Sequence, residues 1–146
     1  MTFKNVLVAI DDSPQASAAL DLAISLSHDL GASLAIVHCV DPAIVAAAAG
    51  SEGAAVVEIE LDELETAGKE LLETASRRAK AAGLDVTAIM RNGDPAPTIV
   101  DTARHSDCDL IVLGTHGRHG MTRLFLGSCA ESVLRQSPVP VLVKRS

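Results

Sequence analysis

The chain has 146 residues, with 12 basic and 19 acidic side chains for a formal net charge of −7, and 48% of it is hydrophobic. That is the length of one ordinary domain with a single buried core, and it is too apolar to be a disordered segment. The acidic balance excludes broad nucleic-acid binding, which needs a basic face, and Phe3 and Phe125 are the sole aromatic residues on which a base could stack.

"FKNVLVAI" (3 to 10) is apolar and β-branched and predicts a first strand, closed by "DDSP". Ser13 caps a following helix with Pro14 at its first position, and Ala16, Ala19, Ala23, Leu26 and Leu30 recur at helical spacing up to Gly31. "SLAIVHCV" (33 to 40) is a second strand. Residues 41 to 57, rich in Ala and Gly without clear periodicity, read as a loop. From about Glu58 a helical stripe returns at Leu64, Ala67, Leu71, Ala75 and Ala79, ending at Gly83, with Glu65–Lys69 and Glu73–Arg77 as i,i+4 pairs on its wet face.

"LDVTAIM" (84 to 90) is a third strand, the turn "RNGDPAP" follows, and a short helix runs from about Thr98 to His105. "DLIVLG" (109 to 114) is a fourth strand, apolar enough to be covered on both faces. A glycine-rich loop leads to a helix from about Ser128 to Gln136 and a last strand, "VPVLVKR" (139 to 145). Strands alternating with helices predict a parallel sheet in a single doubly wound α/β domain spanning residues 1 to 146.

The three cysteines, Cys39, Cys108 and Cys129, form no CxxC pair and fit a reducing compartment as small buried side chains. The chain has no basic-then-apolar leader and no apolar run of membrane-spanning length, so the expectation is a cytoplasmic protein away from membranes.

The loop "GTHGRHGMTRLFLGS" (114 to 128) carries the chemistry. Glycine lets backbone N–H groups approach an anion with no Cβ in the way, and Gly127-Ser128 opens a helix whose N-terminus offers unpaired N–H groups and a favourable dipole. Ser128 adds a hydroxyl; Arg118 and Arg123 add charge. The pattern fits a phosphate chain, yet it is neither a Walker A loop, lacking GKS or GKT, nor a dinucleotide turn, which follows the first strand. A zinc reading of His116-x-x-His119 with Cys108 or Cys129 has poor spacing. His28, His38 and His105 are expected to be structural or exposed.

Gly114-x-x-Gly117, nine residues, then Gly127-Ser128 resembles the Gly-2x-Gly-9x-Gly-(Ser/Thr) signature of nucleotide-binding universal stress proteins. "VLVAIDDSPQASAAL" and "GSCAESVLRQSPVPVLVKR" are similar to that family's first strand–helix and C-terminal end. The resemblance implies a Rossmann-like sheet of five parallel strands in the order 3-2-1-4-5 with helices on both faces. It further implies ATP, or AMP or ADP, with Mg²⁺ or Mn²⁺ on the phosphates, and a homodimer. By the same resemblance Ala9, Ile10 and Asp11 lie beside the nucleoside and Cys39 lines the adenine pocket through its backbone. Gly114, His116, Gly117, Arg118, Gly127 and Ser128 hold ribose and phosphates. Cys129 and Ala130 stand where some relatives carry another hydroxyl. Asp11-Asp12 puts two carboxylates near a polyphosphate, tolerable with a divalent ion between, for which Asp12 is the candidate protein ligand.

No catalytic constellation accompanies the loop, since Ser128 has no evident base. The expected function is therefore regulatory adenine-nucleotide binding in a stress-response homodimer, not an enzyme. The alternative is a nucleotide-independent dimeric protein-interaction module of the same fold. Because Pro140 has no N–H, the last strand reads as an edge, with Val139, Val141, Leu142 and Val143 as the dimer contact.

Overall fold

The computed structural model describes residues 2–51, 53–115 and 126–145. Five strands, β1 (Asn5–Ala9), β2 (Ser33–Val40), β3 (Val86–Asn92), β4 (Leu110–Gly114) and β5 (Val141–Lys144), alternate with helices α1 (Pro14–Leu30), α2 (Pro42–Ala49), α3 (Ala54–Ala81), α4 (Pro95–His105) and α5 (Ser128–Gln136). The strands form one sheet in the order β3-β2-β1-β4-β5. All four pairings are parallel.

Strand periodicity decides where the core sits. Val6, Val8, Leu34, Ile36, Leu110 and Val112 point to the face covered by α1 and α3. Their neighbours Leu7, Ala35, Val37, Ile111 and Leu113 point to the face covered by α4 and α5. A sheet buried on both sides accounts for the unbroken "LIVL" of β4. At the amino end, the Asp109 carboxylate accepts the backbone N–H groups of Lys4 at 2.9 Å and Asn5 at 3.0 Å, clamping β4 to β1. Among the described residues no helix is long and apolar enough to cross a membrane.

The structure corrects the sequence reading at five places. Residues 42 to 49 and 54 to 57 are helical, not loop. Asp41 caps α2 through the Ala43 N–H, Pro42 takes the first helical position and alanine propagates the turn. With so much alanine, little size contrast remains to register a period. In α3 the buried residues are Gly68, Leu72, Ala75, Ser76 and Ala79; of the expected stripe Ala75 and Ala79 are buried and Leu71 packs on the core, while Leu64 and Ala67 are exposed. Glu65 accepts from the Asn92 amide at 3.0 Å, while Glu73 and Arg77 form the expected pair. β3 starts at Val86 and runs to Asn92, and α4 begins at Pro95, three residues before the expected start, because proline at a first helical position needs no N–H partner. β5 begins at Val141, and Val139 lies ahead of it in a turn where Ser137 Oγ accepts the Val139 N–H at 3.1 Å.

Gly68 explains how α3 sits so close to the sheet. A Cβ there would lie 2.7 Å from Cδ2 and 3.1 Å from Nε2 of His38, and 3.3 Å from Met90 Sδ. Gly68→Ala therefore has to push the His38 ring off its seat. We expect a loss of roughly 1–3 kcal/mol, the usual range for overpacking. Urea denaturation reads it out, and a midpoint equal to the wild type would show that the ring swings aside without cost.

Candidate functional site

β1 and β4 are neighbours, in register from Val6↔Leu110 to Val8↔Val112. β1 connects onward to β2 on one side of the pair and β4 to β5 on the other, so the order reverses between them. In open α/β sheets a crevice opens at that point, outside the carboxyl ends.

The β1 end is firmly tied. The Ile10 N–H donates to the Val37 carbonyl at 2.9 Å, and the Ile10 carbonyl lies 2.9 Å from His38 Nδ1, which must carry a proton to make that bond. The Ile10 side chain is buried in the cluster on the α1–α3 side, whereas Ala9 packs on the α4–α5 side. Beyond Ile10, Asp11 Oδ1 accepts the Ser13 N–H at 2.9 Å in a tight turn, and Ser13 Oγ accepts the Ala16 N–H at 3.1 Å, capping α1. Asp11 is half-buried and Asp12 exposed. His38 is thus structural, as expected, with the specific task of fixing the turn that carries Asp11.

Across the crevice, Gly114 ends β4. A Cβ at this position would stand 2.9 Å from the carbonyl oxygen and 3.0 Å from the carbonyl carbon of Gln15, so a glycine is required for the first turn of α1 to lie against the strand. Thr115 donates its N–H to the Lys144 carbonyl at 3.1 Å and accepts the Gly127 N–H at 2.7 Å. The chain leaving β4 therefore returns to the same spot twelve residues on. His116, Gly117 and Arg118 lie outside the described residues, as does His119.

α5 begins at Ser128 with Gly127 as its N-cap, and no side chain caps it. The first N–H groups of any helix lack intrahelical partners. At α1 the Ser13 hydroxyl takes one of these; at α5 the N-cap is a glycine and offers none. The one acidic residue of its first turn, Glu131, pairs with Arg135. Chemically, α5 offers backbone donors and a positive dipole end to an anion.

Cys39 sits within β2, opposite Arg91 of β3, and with Cys129 packs against the same cluster as Ala9. Burial first, then Cys129 and Asp94, pushes the Cys39 thiol up to about 12 against an opposing pull from Arg91. Burial, Asp94 and Asp11 raise Cys129. The charges of Asp94 and Asp11 therefore converge on one thiol-lined wall. Asp94 escaped the sequence reading; its signal was its place before Pro95, the N-cap of α4. Cys108 precedes β4 and Cys129 follows it, at opposite ends of the strand, which removes any zinc site joining them. Among the described residues no group of three His, Cys, Asp or Glu side chains is placed to hold a metal ion.

The model of the Universal stress protein family matches residues 2–145. The chain belongs to the universal stress protein family. Universal stress protein YxiE of Bacillus subtilis (strain 168) is 34% identical over 147 residues, covering 98% of this chain and 99% of its own. A universal stress protein solved in complex with cAMP superposes with a TM-score of 0.74 at 25% identity, covering 99% of this chain and 98% of the other. The universal stress protein from Archaeoglobus fulgidus in complex with dAMP gives a TM-score of 0.66 at 25% identity, covering 98% of each chain.

The thiol wall gives this universal stress protein a defined alkaline behaviour. Cys39 ionises near its ordinary value of 9.0 when unfolded and only at about 12 when folded. The folded state thus prefers the neutral thiol, so this contribution is complete below pH 9 and is lost as the pH rises towards 12. Urea midpoints measured at rising alkaline pH should fall less steeply for Cys39→Ala than for the wild type. Identical slopes would show that the thiol ionises as freely in the fold as in the unfolded chain.

Proposed function

We propose that the crevice between β1 and β4 binds an adenine nucleotide, with ATP the expected ligand, as a regulatory signal in a stress-response protein. The observation that carries this reading is the Gly127 N–H bond to the Thr115 carbonyl at 2.7 Å, which brings the start of α5 to the end of β4, the strand beside β1. One end of the crevice offers backbone donors to phosphate, and the other a carboxylate to a nucleoside. Relatives solved with cAMP and dAMP support adenine as the base.

Residue by residue, Ala9 and Cys39 wall the base, Ile10 contributes backbone alone, and Asp11 faces the ribose. Gly114, Gly127 and Ser128 take the phosphates together with His116, Gly117 and Arg118 of the loop. A Mg²⁺ or Mn²⁺ ion is held chiefly by phosphate oxygens, with Asp12 the candidate carboxylate. The lack of aromatic residues makes aliphatic and thiol walls the means of gripping the ring.

Calorimetric titration with adenosine and with ATP tests both the reading and its polarity. Asp11→Ala should weaken both ligands, and Ser128→Ala should weaken ATP more than adenosine. A lost hydrogen bond to a charged group costs roughly 1.5–3 kcal/mol, about ten- to a hundredfold in affinity. No heat of binding with either ligand in the wild type would instead favour the nucleotide-independent interaction module.

In the same reading the functional unit is a homodimer joined along β5. This strand lies at the edge of the sheet, and Leu142, still 37% exposed, sits between Val141 and Val143. Val139 and Val141 pack on their own core, so Leu142 is the residue most available to a partner. An open apolar edge invites pairing, and a two-fold axis closes it with an antiparallel copy. Leu142→Asp should convert the dimer to monomer in sedimentation. A wild type already monomeric at micromolar concentration, or an unchanged dimer in the variant, would overturn the interface.

A further inference from the structure

The whole formal charge of −7 resides in one segment. Residues 41 to 68 hold seven acidic and no basic side chains, whereas the rest of the chain holds 12 of each. That segment is α2 and the first half of α3, joined by a short connection. It is also where the packing runs out. α3 spans 28 residues, about 42 Å at 1.5 Å per residue, yet its first fully buried residue is Gly68, with Val56, Val57 and Leu61 half-buried before it. α3 also contacts α2, which itself buries Val45 and Ala49. The pair of helices thus overhangs the sheet that the rest of the domain is wrapped around.

Apolar side chains stand out on this overhang. Ile44 is 59% exposed, Ile59 60% and Leu64 37%. Ile59 belongs to a shallow groove of about 410 Å³ along α3, lined also by Asp62, Glu63, Thr66, Ala67 and Glu70, residues spaced by three and four on one helical face. A large β-branched side chain held in water inside a ring of carboxylates is costly to leave open and repels other acidic surfaces. It suits a partner with the opposite pattern, an apolar stripe flanked by Lys or Arg.

We propose that the α2–α3 overhang is a docking surface for a basic amphipathic helix of another protein, with Ile59 as its apolar anchor. Apolar contact with the Ile59 groove fixes register, and the acidic rim steers encounter and selects sign. The groove is lined by α3 residues alone, none of them among those assigned to the crevice, so docking does not require an empty nucleotide site. A second copy of this chain is the competing occupant.

A model peptide of about 18 residues tests this, with leucines at i, i+3, i+4 and i+7 and lysines elsewhere, beside a scrambled isomer of the same composition. Fluorescence titration at near-physiological salt should show saturable binding of the patterned peptide and at least about tenfold weaker binding of the isomer. Ile59→Glu, which leaves the groove acidic, and Glu63→Lys should each weaken the patterned peptide about tenfold or more. Hydrogen exchange should place the protection within residues 42 to 67. Equal binding of the two peptides, or full affinity in Ile59→Glu, would reduce the effect to bulk charge and overturn the proposal. So would wild-type self-association in sedimentation that Ile59→Glu abolishes, since a second copy would then own the surface. Both side chains are exposed, so circular dichroism matching the wild type is expected of both variants.

Discussion

The backbone of Gln15 lies so close to position 114 that only a residue without a Cβ fits between them. That approach seats the first turn of α1 against the end of β4, and the arrangement of the crevice follows from it. Were β4 to carry a side chain there, α1 would be held off and the turn containing Asp11 would move with it. The glycine in this case serves a contact inside the protein. It is a structural requirement first, and any benefit to a ligand rests on it.

The two helices that meet at the crevice handle their amino termini differently. α1 is self-contained: Asp11 accepts from Ser13 and Ser13 accepts from Ala16, so its start needs nothing from outside. α5 starts on a glycine, which has no side chain to turn back on its first N–H groups. Two helix ends of similar dipole at one crevice are therefore unequal as anion sites. His38 adds to this by holding Ile10 from the neighbouring strand, with its ring against Gly68 of α3, so the carboxylate side is braced from both layers.

Much of the fold was legible because it rests on strong periodic signals. β2 and α5 fall where apolar runs and a Gly-Ser start place them, and "LIVL" announced a strand covered on both faces. Alanine-rich α2 was illegible for the opposite reason, since residues of one small size carry no contrast from which to read a period. The expected stripe of α3 held at Ala75 and Ala79 but missed Gly68 and Ser76, buried where small volume matters more than hydrophobicity. At the site, the glycine spacing was visible in the sequence. His38 and Asp94 were not, since the role of each depends on residues distant in the chain.

The pairing of β1 with β4 spans the chain: the Asn5–Asp109 hydrogen bond closes a separation of 104 residues, against 28 for the His38–Ile10 contact. Closing the longer loop costs about 1 kcal/mol more in chain entropy, a small difference at equilibrium. In time the difference is larger. A chain emerging from the ribosome can join β1 to β2 while most of its length is still unmade, but β1 has no neighbour on its other side until residue 110 and beyond have appeared. Until then one edge of β1 stands open, and the crevice has only one wall. It takes shape only when β4 has joined the sheet, long after β1 and β2 can have paired.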